Sequence, residues 1–184
     1  MPYYNTADFT PRFETSVPEN FHRIRPFKLT AHTNVPFTEK QMDGKICVAD
    51  FFFTSCPGIC PRMTTNMKML QDTFLNDNNI LLLSHSVTPE EDDVATLKKF
   101  AKYKKVNPNK WLLLTGNKEE IYNLGRKFYF VEEDQGMDKD TSAFLHTENF
   151  VLIDKNRHIR GIYNGISLAS IQHLIEDIRT LEKE

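Results

Sequence analysis

Cys56 and Cys60 stand four positions apart in Thr54-Ser55-Cys56-Pro57-Gly58-Ile59-Cys60-Pro61. Such a thiol pair can close a disulfide, hold a metal ion, or do both in turn. On a regular helix, residues four apart hold their Cβ atoms roughly 5–6 Å from each other. A disulfide brings them to about 3.8 Å. Two sulfurs sharing one soft ion, each about 2.3 Å from it by analogy with zinc, tolerate the wider separation. Pro57-Gly58 leaves the turn adaptable, so oxidation stays open. The extra residue relative to C-x-x-C therefore tilts the pair from rapid exchange toward metal capture. With Cys60 opening a helix, first-turn N–H groups and the positive end of the dipole favour thiolate, and Pro61 suits the first turn. Cys47 lies in the apolar run from Lys45 to Phe53 and reads as a buried, inert thiol.

The elements around the pair follow from hydrophobic period. Residues 45–53 are apolar apart from Lys45 and Asp50, with no alternation, and predict a central, fully buried strand. Met63, Met67, Leu70 and Phe74 then mark one helical stripe, ended by Asn76-Asp77-Asn78-Asn79. Residues 80–87 and 111–115 predict two more buried strands. Thr88-Pro89-Glu90-Glu91 predicts the start of a helix running to about Lys104, with Thr88 as N-cap and Glu91 completing a capping box. A third helix begins at Thr115 or Asn117 and runs to about Lys127, followed by a short strand over 128–131. Residues 132–141 are charged, contain Gly136 and read as a mobile loop. A hairpin of 147–154 and 159–163 follows, and Ile171, Leu174, Ile175, Ile178 and Leu181 put a closing helix on the sheet. In front, 24–30 and 35–38 predict short edge strands limited by their prolines. Residues 1–20 read as an arm, and 21–184 as one domain. The β-α-β-α-β-α-β-β-α order predicts an α/β protein with a thioredoxin-like fold: a central mixed sheet flanked by helices, with an N-terminal strand extension. The C-x-x-x-C pair falls at the C-terminal end of a strand, where reactive groups of open α/β sheets sit.

Two thiolates leave most metal sites incomplete. Cu(I) accepts two or three ligands, while Cu(II) and Zn(II) want more. The third donor is sought among six histidines. His22, His32, His158 and His173 read as surface residues. His85 ends the second buried strand, near the expected site. His146 lies where the charged loop enters the hairpin, a point that faces the first helix N-terminus in a thioredoxin-like layout, so it is favoured over His85. Met63 and Met67 are soft donors, but a helical methionine stripe reads as core.

The composition bounds the class. The chain has 184 residues, 40% hydrophobic and 26% charged, with a net charge of −2. That length buries roughly 70% of the unfolded surface. Three cysteines are too few for a disulfide framework. No basic stripe suggests nucleic acid, and no run of 18 apolar residues suggests a membrane span. Met1-Pro2-Tyr3-Tyr4-Asn5 does not read as a signal peptide; it reads as a start imposed on a longer protein, with an anchor or signal upstream.

The sequence resembles the Sco/SenC family over roughly residues 20–182. The match rests on Thr54-Ser55-Cys56-Pro57-Gly58-Ile59-Cys60-Pro61, on Ser86-Val87-Thr88-Pro89-Glu90-Glu91-Asp92, and on Leu145-His146-Thr147, whose histidine follows Cys60 by 86 positions. The family often has Asp-Pro with a following Arg where this chain has Thr88-Pro89-Glu90-Glu91; the difference falls in a capping segment and implies no loss of copper binding. The resemblance implies copper, as Cu(I) or Cu(II), bound by Cys56, Cys60 and His146. It implies a metallochaperone for the binuclear copper centre of cytochrome c oxidase, with that copper-accepting domain or another apo copper protein as partner. It also implies a membrane-anchored protein on the extracytoplasmic side, periplasmic if bacterial. Asp138 and Asp140 are then candidate partners for the ligands in the neighbouring loop.

A second reading is an enzyme, a thiol–disulfide oxidoreductase in which one of Cys56 and Cys60 attacks and the other resolves. A third is a peroxidase. Its signature is Thr-x-x-Cys with a nearby Arg, and Thr54-Ser55-Cys56 does not match that spacing although Arg62 is present.

Overall fold

Strand β5 (Ile46–Phe52) is buried along its whole length, Asp50 included, as a run with no polar alternation requires. It pairs in parallel with β6 (Ile80–Ser86), and β6 in parallel with β7 (Trp111–Thr115). On the other side β8 (Asn149–Ile153) runs antiparallel to β5, and β9 (Ile159–Asn164) antiparallel to β8. Between these strands come α1 (Cys60–Thr73), α2 (Val94–Tyr103) and α3 (Lys118–Asn123), and α4 (Leu168–Leu181) closes the chain. This is the predicted thioredoxin-like order. The computed structural model describes residues 1–14, 17, 21–132, 139 and 142–184.

The edges carry the extensions. Strands β3 (Lys28–Ala31) and β4 (Pro36–Thr38) form an antiparallel hairpin beside β7, with Pro36 on the outermost strand. At the opposite edge β1 (Tyr3–Tyr4) pairs with β9, and β2 (Pro11–Arg12) with β1. Among the described residues the sheet thus has nine strands, in the order β2-β1-β9-β8-β5-β6-β7-β3-β4.

Side-chain alternation splits the core into two layers. Ile46, Val48 and Phe52 face α1, α2 and α4. Cys47, Ala49 and Phe51 face α3 and the N-terminal segment around Ile24 and Phe27. Met63, Met67 and Leu70 are fully buried in the first layer and serve as core.

Two predicted elements differ. The helix foreseen at Thr88 begins only at Val94, where the Asp93 side chain accepts from the Thr96 N–H. Residues 88–92 instead form a turn, because Asp92 is drawn inward. The strand foreseen over 128–131 is absent. Leu124–Phe128 is a π-helical turn, closed by the Tyr129 N–H bonding the Leu124 carbonyl, and Phe130 has φ of 52°. Both edges of β8 are already taken by β5 and β9, so 128–131 has no strand to pair with.

Candidate metal centre

β5 ends at Phe52, and the chain turns through residues 53–59 into α1, whose first residue is Cys60. The turn is pinned at its start. Asp92, 1% exposed, accepts at Oδ2 from the Thr54 N–H at 3.1 Å, the Ser86 hydroxyl at 2.6 Å and the Thr88 hydroxyl at 3.2 Å, and at Oδ1 from the Thr54 hydroxyl. One buried carboxyl group thus fastens the chain two residues before Cys56 to the end of β6.

Cys56 is half-buried, Cys60 is buried, and both are free thiols. Burial opposes ionisation of Cys56. Hydrogen bonds from the Cys60 thiol and from the backbone of Cys60, Gly58 and Ile59 outweigh it and hold the Cys56 thiol below its ordinary range. Those backbone donors are the unpaired N–H groups of the turn into α1. Burial, and then the hydrogen bond it shares with Cys56, push the Cys60 thiol up to about 12. The pair is asymmetric: Cys56 is the accessible, activated sulfur and Cys60 holds the proton. Beneath them Asp50 lies on the α1 face of β5. Its burial pushes the carboxyl up to about 7, against a hydrogen bond from Ser84, and its Oδ1 has no hydrogen-bond partner among the described residues. Cys47 faces the opposite layer, where burial pushes its thiol up to about 12, as an inert thiol requires.

His146 is exposed, on the segment that leads into β8. Its neighbours place it. Phe144 meets Phe53 edge to face at 5.5 Å between centroids. Leu145 is buried over Gly125, where a Cβ would come within 2.7 Å of it and 3.0 Å of Phe51. The Thr147 hydroxyl donates to the Val131 carbonyl at 2.7 Å. Among the described residues no three His, Cys, Asp or Glu side chains stand together as a metal site, so the structure joins Cys56 to Cys60 and leaves His146 apart from them. Asp138 and Asp140 lie outside the described residues, as does most of the charged loop.

The SCO1/SenC profile matches residues 16–183. The chain belongs to the SCO1/SenC family. The SCO1 protein homolog of Bacillus subtilis is 29% identical over 163 residues, 86% of this chain and 82% of the relative. Among solved structures, a SCO1/SenC family lipoprotein from Bacillus anthracis is 31% identical with a TM-score of 0.75, over 88% of this chain and 95% of that one. Arabidopsis thaliana ScoI with copper bound is 25% identical with a TM-score of 0.66, over 87% and 98% of the two chains.

The remaining histidines of this SCO1/SenC domain are framework residues. His85 does not face the cysteines. Its register opposite Phe51 puts it in the other layer, stacked on Phe51 at 4.7 Å and against Tyr129 at 5.1 Å. Burial lowers its pKa to about 4. His32, expected at the surface, is buried and accepts from the Leu113 N–H at 3.1 Å. His22 and His158 are half-buried and bond the carbonyls of Phe128 and His22. Of the four histidines expected at the surface, His22, His32, His158 and His173, only His173 is exposed.

Sequence reasoning missed two residues. For Asp92 the available signal is an Asp ending Thr88-Pro89-Glu90-Glu91-Asp92 beside a predicted cap. Arg126 is 2% exposed; it donates to the Glu132 carboxylate at 2.7 Å and the Ala143 carbonyl at 2.6 Å. It holds Glu132 and, three residues before His146, the Ala143 carbonyl, and nothing in its local sequence marks it.

Proposed function

We propose that this protein is a copper metallochaperone that assists assembly of the binuclear copper centre of cytochrome c oxidase. Copper is the cargo, and Cys56, Cys60 and His146 are its ligands. The observation that carries the reading is the free, asymmetric thiol pair at the mouth of α1. Soft thiolates suit Cu(I), and a half-buried sulfur leaves room for ligand exchange with a partner's thiolates. Membership of the family and the copper-bound Arabidopsis thaliana ScoI support it. His146 enters as the exposed imidazole on a segment packed against Phe53, so closing the site calls for movement of residues 142–146 toward the pair. Anchoring to a membrane on its extracytoplasmic side is part of the same reading, supported by the Bacillus anthracis lipoprotein. Among the described residues no helix is long and apolar enough to cross a membrane.

Copper stoichiometry tests the ligand set. Wild type should bind one Cu(II) per chain with a thiolate charge-transfer band, and His146→Ala should shift that band and weaken binding by at least the roughly 10–100-fold that loss of a ligand-supporting group costs. A variant that keeps one Cu(II) and an unchanged spectrum removes His146 from the set.

The thiol asymmetry favours a second activity, thiol–disulfide exchange, with Cys56 attacking and Cys60 resolving. At neutral pH iodoacetamide should modify Cys56 at least about tenfold faster than Cys60, as its larger thiolate fraction dictates. Peptide mapping after partial alkylation reads the ratio, and equal rates would remove the assignment of roles.

A further inference from the structure

Beside the cysteine pair runs a groove of about 250 Å³ between α1 and α2, whose lining includes Phe53, Cys56, Cys60, Phe100, Tyr103 and Lys104. Tyr103 is 77% exposed, a large aromatic surface at the lip. The Lys104 ammonium lies 4.9 Å from the Tyr103 ring centroid and 5.7 Å from that of Phe100. Lys104 is the one charged residue in the lining. Residues 94–105 carry Lys98, Lys99, Lys102, Lys104 and Lys105 with no acidic residue, on a chain whose net charge is −2. Lys99 stands one helical turn before Tyr103. The positive end of α1 opens onto the same mouth.

Apolar walls, an exposed aromatic lip and the Lys104 ammonium beside the half-buried Cys56 sulfur have a specific complement. We propose that this groove docks the thiol-bearing partner through an acidic segment that seats an aromatic side chain between Phe100 and Tyr103 and presents its cysteine to Cys56. The inference rests on the reading of Cys56 and Cys60 as the exchanging pair. Opposite charge steers the encounter, and the buried aromatic supplies the anchor.

The reaction that reports docking needs no metal. The probe is a hexapeptide whose cysteine is capped as a mixed disulfide with 2-thiopyridine. The Cys56 thiolate attacks the peptide sulfur, the peptide–pyridyl S–S bond breaks, and the pyridine thiolate leaves as the thione with a proton from solvent. Cys60 then loses its proton to solvent and attacks Cys56 in the mixed disulfide, releasing the peptide thiol. The protein pair is oxidised to the disulfide and the probe is reduced.

Two probes are compared, one with Glu and Phe flanking the cysteine and one with Lys in place of Glu. Each rate is divided by the rate with neutral dipyridyl disulfide, which reports intrinsic thiol reactivity. At low salt the acidic probe should react about tenfold faster than the basic one, and half-molar salt should erase most of the gap. In the Lys99→Glu/Lys104→Glu protein the preference should vanish or invert. Tyr103→Ser should slow the acidic probe several-fold more than it slows dipyridyl disulfide.

A wild-type ratio near one overturns the proposal, as does a ratio that survives in the double variant. Self-association of wild type that Tyr103→Ser abolishes would seat a second copy in the groove and also overturn it. Copper stoichiometry, measured separately, decides the metallochaperone reading. Loss of copper binding with the peptide preference intact leaves the groove standing, and the reverse leaves the copper site.

Discussion

Asp92→Ala should cost about 3–5 kcal/mol of stability, because the buried Ser86 hydroxyl and the half-buried Thr54 and Thr88 donors lose one acceptor at about 1–3 kcal/mol each. The Thr54 N–H and hydroxyl and the Ser86 and Thr88 hydroxyls all converge on that carboxyl group. For a chain of this length the melting temperature should fall by about 10 °C or more. Asp92→Asn should lose less, since its amide oxygen still accepts while its nitrogen cannot. The consequence should reach the site, because Thr54 lies two residues before Cys56: iodoacetamide should lose its preference for Cys56 over Cys60 in Asp92→Ala. Urea unfolding with an unchanged slope measures the first effect, and peptide mapping the second. A stability loss under 1 kcal/mol would mean that other contacts hold the turn.

Asp50 and His85 should oppose each other in the pH dependence of stability. His85 has a folded pKa of about 4, against about 6.5 unfolded. Between those values the unfolded chain binds the proton and the folded chain does not, so His85 lowers stability as pH falls. Asp50 has a folded pKa of about 7, against about 3.9 unfolded. In that window the folded chain binds the proton, so Asp50 raises stability as pH falls. The two contributions nearly cancel in the wild type. Asp50→Asn should therefore lose about 3 kcal/mol more than wild type between pH 7 and pH 4, and His85→Phe should gain about 3 kcal/mol relative to wild type over the same range. Denaturant titrations at pH 4, 5, 6 and 7 check both slopes, and because other groups are common to all three proteins the differences isolate this pair. Parallel profiles for wild type and both variants would show that neither group is perturbed as described.

Short-range signals proved dependable where one interaction dominated. The run of 46–52, apolar but for Asp50, has no alternating solvent face and reads as a central strand. The Met63, Met67 and Leu70 spacing yields the buried stripe of α1. The prolines near β4 confine that strand to an edge. Where a local rule competed with a distant partner, the partner decided. Thr88-Pro89-Glu90-Glu91 has the composition of a helix start, but Asp92 reaches Thr54, 38 residues away, and delays the helix to Val94. Residues 128–131 have strand composition, but β8 has no free edge to offer them.

The site divides along the same line. Spacing and residue type determined that Cys56 and Cys60 meet at a helix start, that Cys47 is inert, and that both a metal and a disulfide are open to the pair. Only the tertiary structure decided which sulfur is activated, because that depends on which thiol the fold buries and which faces the free N–H groups of the turn. It also turned His85 into the opposite core layer and set Tyr103 and Lys104 beside Cys56. Strand parity and helix packing fix these juxtapositions, and they depend on register and contact between segments far apart in the chain.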